Sequence, residues 1–363
     1  MNSTLLDKKN IIIDACMHLG DLLHATTVIG LIHKYNPDCK ITFLVNQGLE
    51  NVFKSCGGVE RVITYKYKSG RGYLDVYKMA QLLKKYNFDA SISLDPRLRL
   101  SAMMYLAGIP LRIGSPSVFG WKPGLEKLFF NEFITFGEYH LEKNSMAENF
   151  QKFMSLALGV ETNNLIRPEL LAPCNEDVLF AANMLKNDNK LTIAVCVNTV
   201  DEARNLPADV YNHVIRYFIE RKEAIIVCLG VNSDREAFEK AVEGLPKERI
   251  IDLVGKTNFQ QLNAVLRRCD FLINPDNGMG HFAAAVDCPT VTIFTNADSN
   301  RFKPLHPLTQ IVNSGCDCIG MCDKKRRKIC GLKCRNMISA ERIIDRAEEL
   351  IKVLVRKSEV AKI

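Results

Sequence analysis

FLINPDNGMGHFAAA, residues 271–285, reads as a strand, a tight turn and a helix in immediate succession. The apolar run Phe271–Asn274 has strand length, Pro275 to Gly278 are turn formers, and the small residues from Met279 to Val286 suit a helix lying close to a sheet. Gly278 and Gly280 stand at the start of that helix, where backbone N–H groups and the helix dipole make a seat for an anion. Taken alone, the stretch is equally compatible with a plain connecting turn that contains Asn-Gly.

Working outward, the same unit recurs along the chain. Upstream, strands are expected at Leu191–Val197, Ala224–Leu229 and Arg249–Leu253, with helices at 208–221, 234–243 and Phe259–Arg268; downstream a strand is expected at Thr290–Phe294. The first half offers strands at Ile11–Ala15, Lys40–Val45, Val62–Tyr65 and Ala90–Leu94, a helix from Leu22 to Tyr35 that stops before Pro37, and a helix at His140–Leu158. Such alternation is the pattern of parallel sheets covered by helices. Prolines and polar residues interrupt the periodicity in RPELLAPCNEDV, which places a boundary near 172–188. The expectation is an α/β chain of two doubly wound, Rossmann-like domains facing a cleft: 1–175, 176–338, and a C-terminal helix at 339–363. In such sheets ligands sit at the carboxyl ends of strands, so the turns that follow strands take priority.

Size and composition agree. A chain of 363 residues exceeds what one core usually serves, and 47% hydrophobic with 25% charged residues is the balance of a globular protein rather than a disordered one. The N-terminus carries no apolar leader and no stretch approaches the ~20 apolar residues of a membrane span, so a cytoplasmic protein is expected. The net charge of +7 suits phosphates or anionic lipid surfaces. KKRRK at 324–328 reads as a solvated loop, and without interleaved aromatics no nucleic-acid partner is expected.

Two further groups of residues carry chemistry. After the strand IIIDA, Gly20 and Asp21 fall where a strand end meets a helix, so that Asp21 is a helix cap or a catalytic base; the residues alone favour the cap. His18 and His24 flank it. Of the 13 cysteines, eight are scattered through apolar segments as buried thiols, while Cys316, Cys318, Cys322, Cys330 and Cys334 crowd into CDCIGMCDKKRRKICGLKC. Converging thiolates would hold a structural zinc or iron, although the spacing matches no standard zinc ribbon; free thiols are the other reading.

HLGDLLHATTVIGLIHKYNPDCKITFLVN, FDASISLDPRLRLSAMMYLAGIPLRIG and DNGMGHFAAA resemble, in order and in opposite halves, segments of glycosyltransferase family 9, the ADP-heptose heptosyltransferases. The resemblance runs from Ile11 to about Arg346 and implies the GT-B architecture. It departs at Asn277, where serine or threonine is usual, at Arg204-Asn205-Leu206 in place of a Lys-x-Trp triplet, and at Thr295 in place of glycine.

The resemblance implies that Asp21, beside Gly20, is the general base of an inverting transfer, and that Arg204 neutralises the departing diphosphate. By the same match Asn277, Gly278 and His281 contact that diphosphate, Asp276 orients the loop or holds a sugar hydroxyl, and Thr199 lies nearby. Asp234 would meet the donor ribose, and Lys256 and Thr257 the adenine. No cofactor is implied for the chemistry; some relatives that modify autotransporter proteins bind iron through such cysteines. The implied partners are an ADP-sugar donor and a lipopolysaccharide inner-core acceptor at the cytoplasmic membrane face, with peripheral membrane contact. Serine or threonine hydroxyls of a protein are the alternative acceptor, and a silent nucleotide-sugar-binding protein is the alternative from another class. Acceptor recognition is assigned to the loops at 67–73 and 115–124.

Overall fold

The computed structural model describes residues 5–66, 72–116, 124–162, 164–185, 190–322 and 324–360. Most of both acceptor-recognition loops, 67–71 and 117–123, lies outside the described residues. The chain divides into two compact units, Met1–Leu171 and Ala172–Ile363.

The first unit is built on β1 (Asn10–Ala15), β2 (Lys40–Asn46), β3 (Arg61–Tyr65), β4 (Ala90–Ser93), β5 (Leu111–Gly114) and β6 (Glu132–Phe133), arranged β3-β2-β1-β4-β5-β6. Each neighbouring pair is parallel; Ile11 of β1, for example, lies opposite Ile41 on one side and Ala90 on the other. Ile11, Ile12 and Ile13 are fully buried, as a strand covered on both faces requires. Helix α1 (Leu19–Tyr35) begins a turn earlier than its apolar stripe predicts and gives way at Asn36, before Pro37. The helix expected over His140–Leu158 is shorter: α4 runs Met146–Leu158, opened by a reciprocal Ser145/Glu148 cap and closed by Gly159 at φ 68°.

The second unit repeats the plan. Its strands β7 (Thr192–Val195), β8 (Ile225–Cys228), β9 (Ile250–Asp252), β10 (Phe271–Pro275), β11 (Thr290–Phe294) and β12 (Gln310–Asn313) lie in the order β12-β11-β10-β7-β8-β9, all parallel. Counted from its own first strand, each sheet has the order 3-2-1-4-5-6 of the doubly wound fold. Phe218 and Phe271 anchor the core of this unit, each removed from water at a gain of about 1.5–3 kcal/mol, with Tyr211 buried in the same cluster.

Three elements differ from expectation. The polar, proline-flanked stretch placed at the boundary folds as α5 (Asn175–Met184) and packs on α8 (Phe259–Leu266). The final helix α12 (Ala340–Val360) is part of the second unit, burying Ile343, Ala347 and Leu350 against α6 (Ala208–Lys222) and β12. The basic run at 324–328 is helical, in α11 (Lys324–Cys330), and is not a solvated loop. Among the described residues no helix is long and apolar enough to cross a membrane.

Candidate functional site

In the second unit strand order reverses between β7 and β10, so the loops after these strands diverge there and leave polar groups at the sheet's carboxyl edge. The loop after β10 enters α9 (Gly278–Ala285) directly. Asn277 is the N-cap: its Oδ1 accepts from the Met279 N–H at 3.0 Å, while its Nδ2 donates to the Asn198 carbonyl at 3.0 Å and lies 3.3 Å from Cys196 Sγ. A serine or threonine could cap the helix, but its single hydroxyl could not also donate twice to the loop after β7. Gly280 leaves room for Asn274, since a Cβ there would stand 2.6 Å from the Asn274 Nδ2. The α9 N-terminus therefore lies low against the strand end.

Asp276 is 4% exposed and faces the Arg204 guanidinium, with Nη1 at 2.9 Å from its Oδ2 and 3.4 Å from its carbonyl oxygen. Burial pushes the Asp276 carboxyl up to about 6, against the lowering influence of Arg204, and Asp201 adds to the rise. Burial, then Arg204, lowers His281 to about 4, so its imidazole is neutral at pH 7 and works as a hydrogen-bonding group rather than a cation. Arg204 keeps 36% of its side chain exposed, so part of the guanidinium stays open to solution.

The loop bearing Arg204 is held from several sides. Asp201 caps the short 3-10 turn Glu202–Arg204 by accepting from the Ala203 N–H at 3.2 Å, and its Oδ2 is 3.5 Å from Arg204 Nε. Thr295 Oγ1 donates to the Ala203 carbonyl at 2.8 Å, and Asn205 Oδ1 accepts from the Thr199 N–H at 2.7 Å. Leu206 is buried in the core. Each departure from the family pattern thus carries a structural load here: Asn277 joins two loops, Thr295 fastens the turn, and Leu206 fills the core.

Other residues singled out in the sequence prove to be engaged locally. Thr199 Oγ1 bonds the Asp201 backbone at 2.9 Å. Both Asp234 oxygens are used, one by the Val231 N–H and one by the Asn198 amide, each at 2.9 Å. Lys256 Nζ reaches Asp252 Oδ2 at 2.9 Å; Thr257 follows, half-buried, in the turn before α8. These groups stand at the ends of β7, β8 and β9, along the same carboxyl edge as Arg204.

In the first unit Gly20 and Asp21 lie inside the first turn of α1, partly exposed, and the N-cap position belongs to His18. The cap reading of Asp21 therefore fails on position. His18 is exposed and His24 is buried. Sequence reasoning passed over Asp14, whose only signal is a carboxylate inside an isoleucine strand. It is 2% exposed at the reversal of the first sheet, accepts from Ser93 Oγ at 3.0 Å, and is pushed up to about 7 by burial, with a further push from Asp95. Asp95 itself is doubly paired to Arg97, at 2.6 and 2.8 Å.

Cys316 and Cys318 bring their sulfurs to 3.1 Å, and Cys334 is buried, its thiol raised by burial and by Cys316, Cys322 and Cys330. Yet among the described residues no group of three or more His, Cys, Asp or Glu is placed to hold a metal ion.

Two parallel doubly wound sheets, one ending in a guanidinium beside a helix N-terminus, define an α/β protein of the GT-B fold class. Residues 76–333 match the model of glycosyltransferase family 9 (heptosyltransferase), and the chain belongs to that family. It is 25% identical over 302 residues to the lipopolysaccharide core heptosyltransferase OpsX of Haemophilus influenzae, covering 81% of each chain. The crystal structure of a family 9 glycosyl transferase from Veillonella parvula superposes with a TM-score of 0.83 at 22% identity, over 96% of this chain and 98% of that one. The E. coli heptosyltransferase WaaC with ADP gives 0.71 at 16% identity, over 94% and 99%.

Proposed function

We propose that this enzyme transfers heptose from ADP-heptose to a lipopolysaccharide inner-core acceptor at the cytoplasmic face of the membrane, with inversion at the anomeric carbon. The observation that carries the reading is the half-exposed Arg204 paired with buried Asp276 at the strand-order reversal of the second unit, beside the α9 N-terminus. That is a site for a departing diphosphate. The names of OpsX and of WaaC with ADP support this acceptor and donor class.

In the proposed reaction an acceptor hydroxyl attacks the anomeric carbon and gives its proton to the Asp21 carboxylate. The new C–O bond forms as the bond to the β-phosphate oxygen breaks, and ADP leaves with the electron pair. Arg204 meets the charge that develops on that oxygen, while neutral His281 and the backbone around Asn277 and Gly278 bond the phosphates. Ionised Asp276 holds Arg204 in place and offsets part of its charge, while the guanidinium keeps a face open to solution for the phosphates. Asp234, Lys256 and Thr257 are proposed to lie along the ribose and adenine. The structural roles of Asn277, Leu206 and Thr295 support an intact donor site rather than a silent relative.

Thermal unfolding with ADP, UDP and GDP tests the donor class. ADP at about 100 times its Kd is expected to raise the midpoint by about 5 °C, since a ligand selective for the native state stabilises it by about 2.7 kcal/mol. A larger shift with UDP or GDP overturns the assignment.

A further inference from the structure

The cysteine-rich segment returns two arginines to the loop that holds Arg204. Arg327, on α11, forms a fork-to-fork pair with Asp201, Nη1 to Oδ1 at 2.7 Å and Nη2 to Oδ2 at 2.9 Å. Arg335, in the 3-10 turn Lys333–Met337, donates from Nε to the Asn205 carbonyl at 2.5 Å and places Nη1 3.4 Å from Glu202. Arg204 therefore sits between two clamped positions, and four charged groups alternate in a row: Arg327, Asp201, Arg204, Asp276.

The row has an electrostatic consequence. Asp201 is only 3.5 Å from Arg204 Nε, so an Asp201 carboxylate with no other partner would join Asp276 in cancelling the Arg204 charge. Arg327 occupies both oxygens of Asp201 in the bidentate geometry that satisfies a carboxylate best. Resting on the reading of Arg204 given above, we propose that Arg327 and Asp201 are positioning residues for the donor diphosphate. Arg327 neutralises Asp201, so that Asp201 can shape the 3-10 turn without withdrawing Arg204 from the phosphates. The segment at 316–334 then belongs to the donor site through its arginine, whatever its thiols do.

The sign of this effect separates it from simple bracing. In the full-length enzyme, Arg327→Ala is expected to weaken ADP binding about 10-fold by calorimetric titration, as loss of one charge-assisted contact would. Adding Asp201→Asn to Arg327→Ala is expected to restore affinity to within about 3-fold of wild type, because asparagine still caps the turn but no longer competes for Arg204. Should Arg327→Ala fail to fold, Arg327→Gln keeps a polar side chain of intermediate length, loses the charge and carries the same expectation. Unchanged ADP affinity in the single variant, or a double variant no better than the single, overturns the proposal. If Arg204→Ala also binds ADP like wild type, the assignment of Arg204 falls with it; if Arg204→Ala binds poorly while Arg327→Ala does not, only the positioning role falls.

Discussion

The two halves share one strand order and differ in what they place at its reversal. In the first unit that point holds carboxyl groups: Asp14 buried against Ser93, and Asp95 locked to Arg97, with Asp21 one short connection further along in α1. In the second it holds Arg204, the capped start of α9 and a neutral His281. One topology thus carries a carboxyl-rich end and a guanidinium-bearing end. The backbone decides where loops diverge; the side chains on those loops decide the chemistry.

The largest expected effect comes from removing the proposed base. Asp21→Asn is predicted to lower the rate of transfer from ADP-heptose about 10²–10⁴-fold, the usual yield of general base catalysis, measured as ADP release at saturating donor. An unchanged rate breaks the assignment of Asp21 as the base.

Asp14 offers a second way to sharpen the contrast, through stability. Its folded-state carboxyl, about 7 against an ordinary 3.8, stabilises the protein fully only below the ordinary value, and that contribution is lost as pH rises through 7. Asn at this position can still accept from Ser93 and never ionises. Asp14→Asn should therefore gain on wild type between pH 4 and pH 8, by at most about 4 kcal/mol at the upper end. Unfolding midpoints across that range check it; a gap that does not change with pH refutes the burial argument. Asp276, also raised, adds a loss of the same sign to both proteins.

A smaller effect is expected at the anion end. Gly280→Ala sets a methyl 2.6 Å from Asn274 Nδ2 and 3.1 Å from Pro304, and should cost about 1–3 kcal/mol as overpacking, read from denaturant midpoints. An effect near zero would mean that α9 can lift from β10 freely.

The regular alternation of apolar strands and helices made the fold class legible, and FLINPDNGMGHFAAA contained its own strand, turn and helix. Three strands were not legible: β5, β6 and β12 together bury only Ile113, Gly114 and Val312, too few apolar positions for a strand signal. Helix α5 hid behind prolines and polar residues because most of it stays exposed. At the site, Arg204 and Asp276 stood out singly, but their pairing joins residues 72 apart, and Arg327 meets Asp201 across 126. No local pattern reports contacts of that span. The same limit applies to Asn277, whose amide reaches the Asn198 carbonyl 79 residues away and joins two loops.

The division of labour between the two ends is tested most directly by titrating ADP into Asp21→Asn and Arg204→Ala side by side. The account predicts that Asp21→Asn binds ADP within about 2-fold of wild type while Arg204→Ala binds at least about 10-fold more weakly. Equal losses in both, or a loss confined to Asp21→Asn, would contradict it.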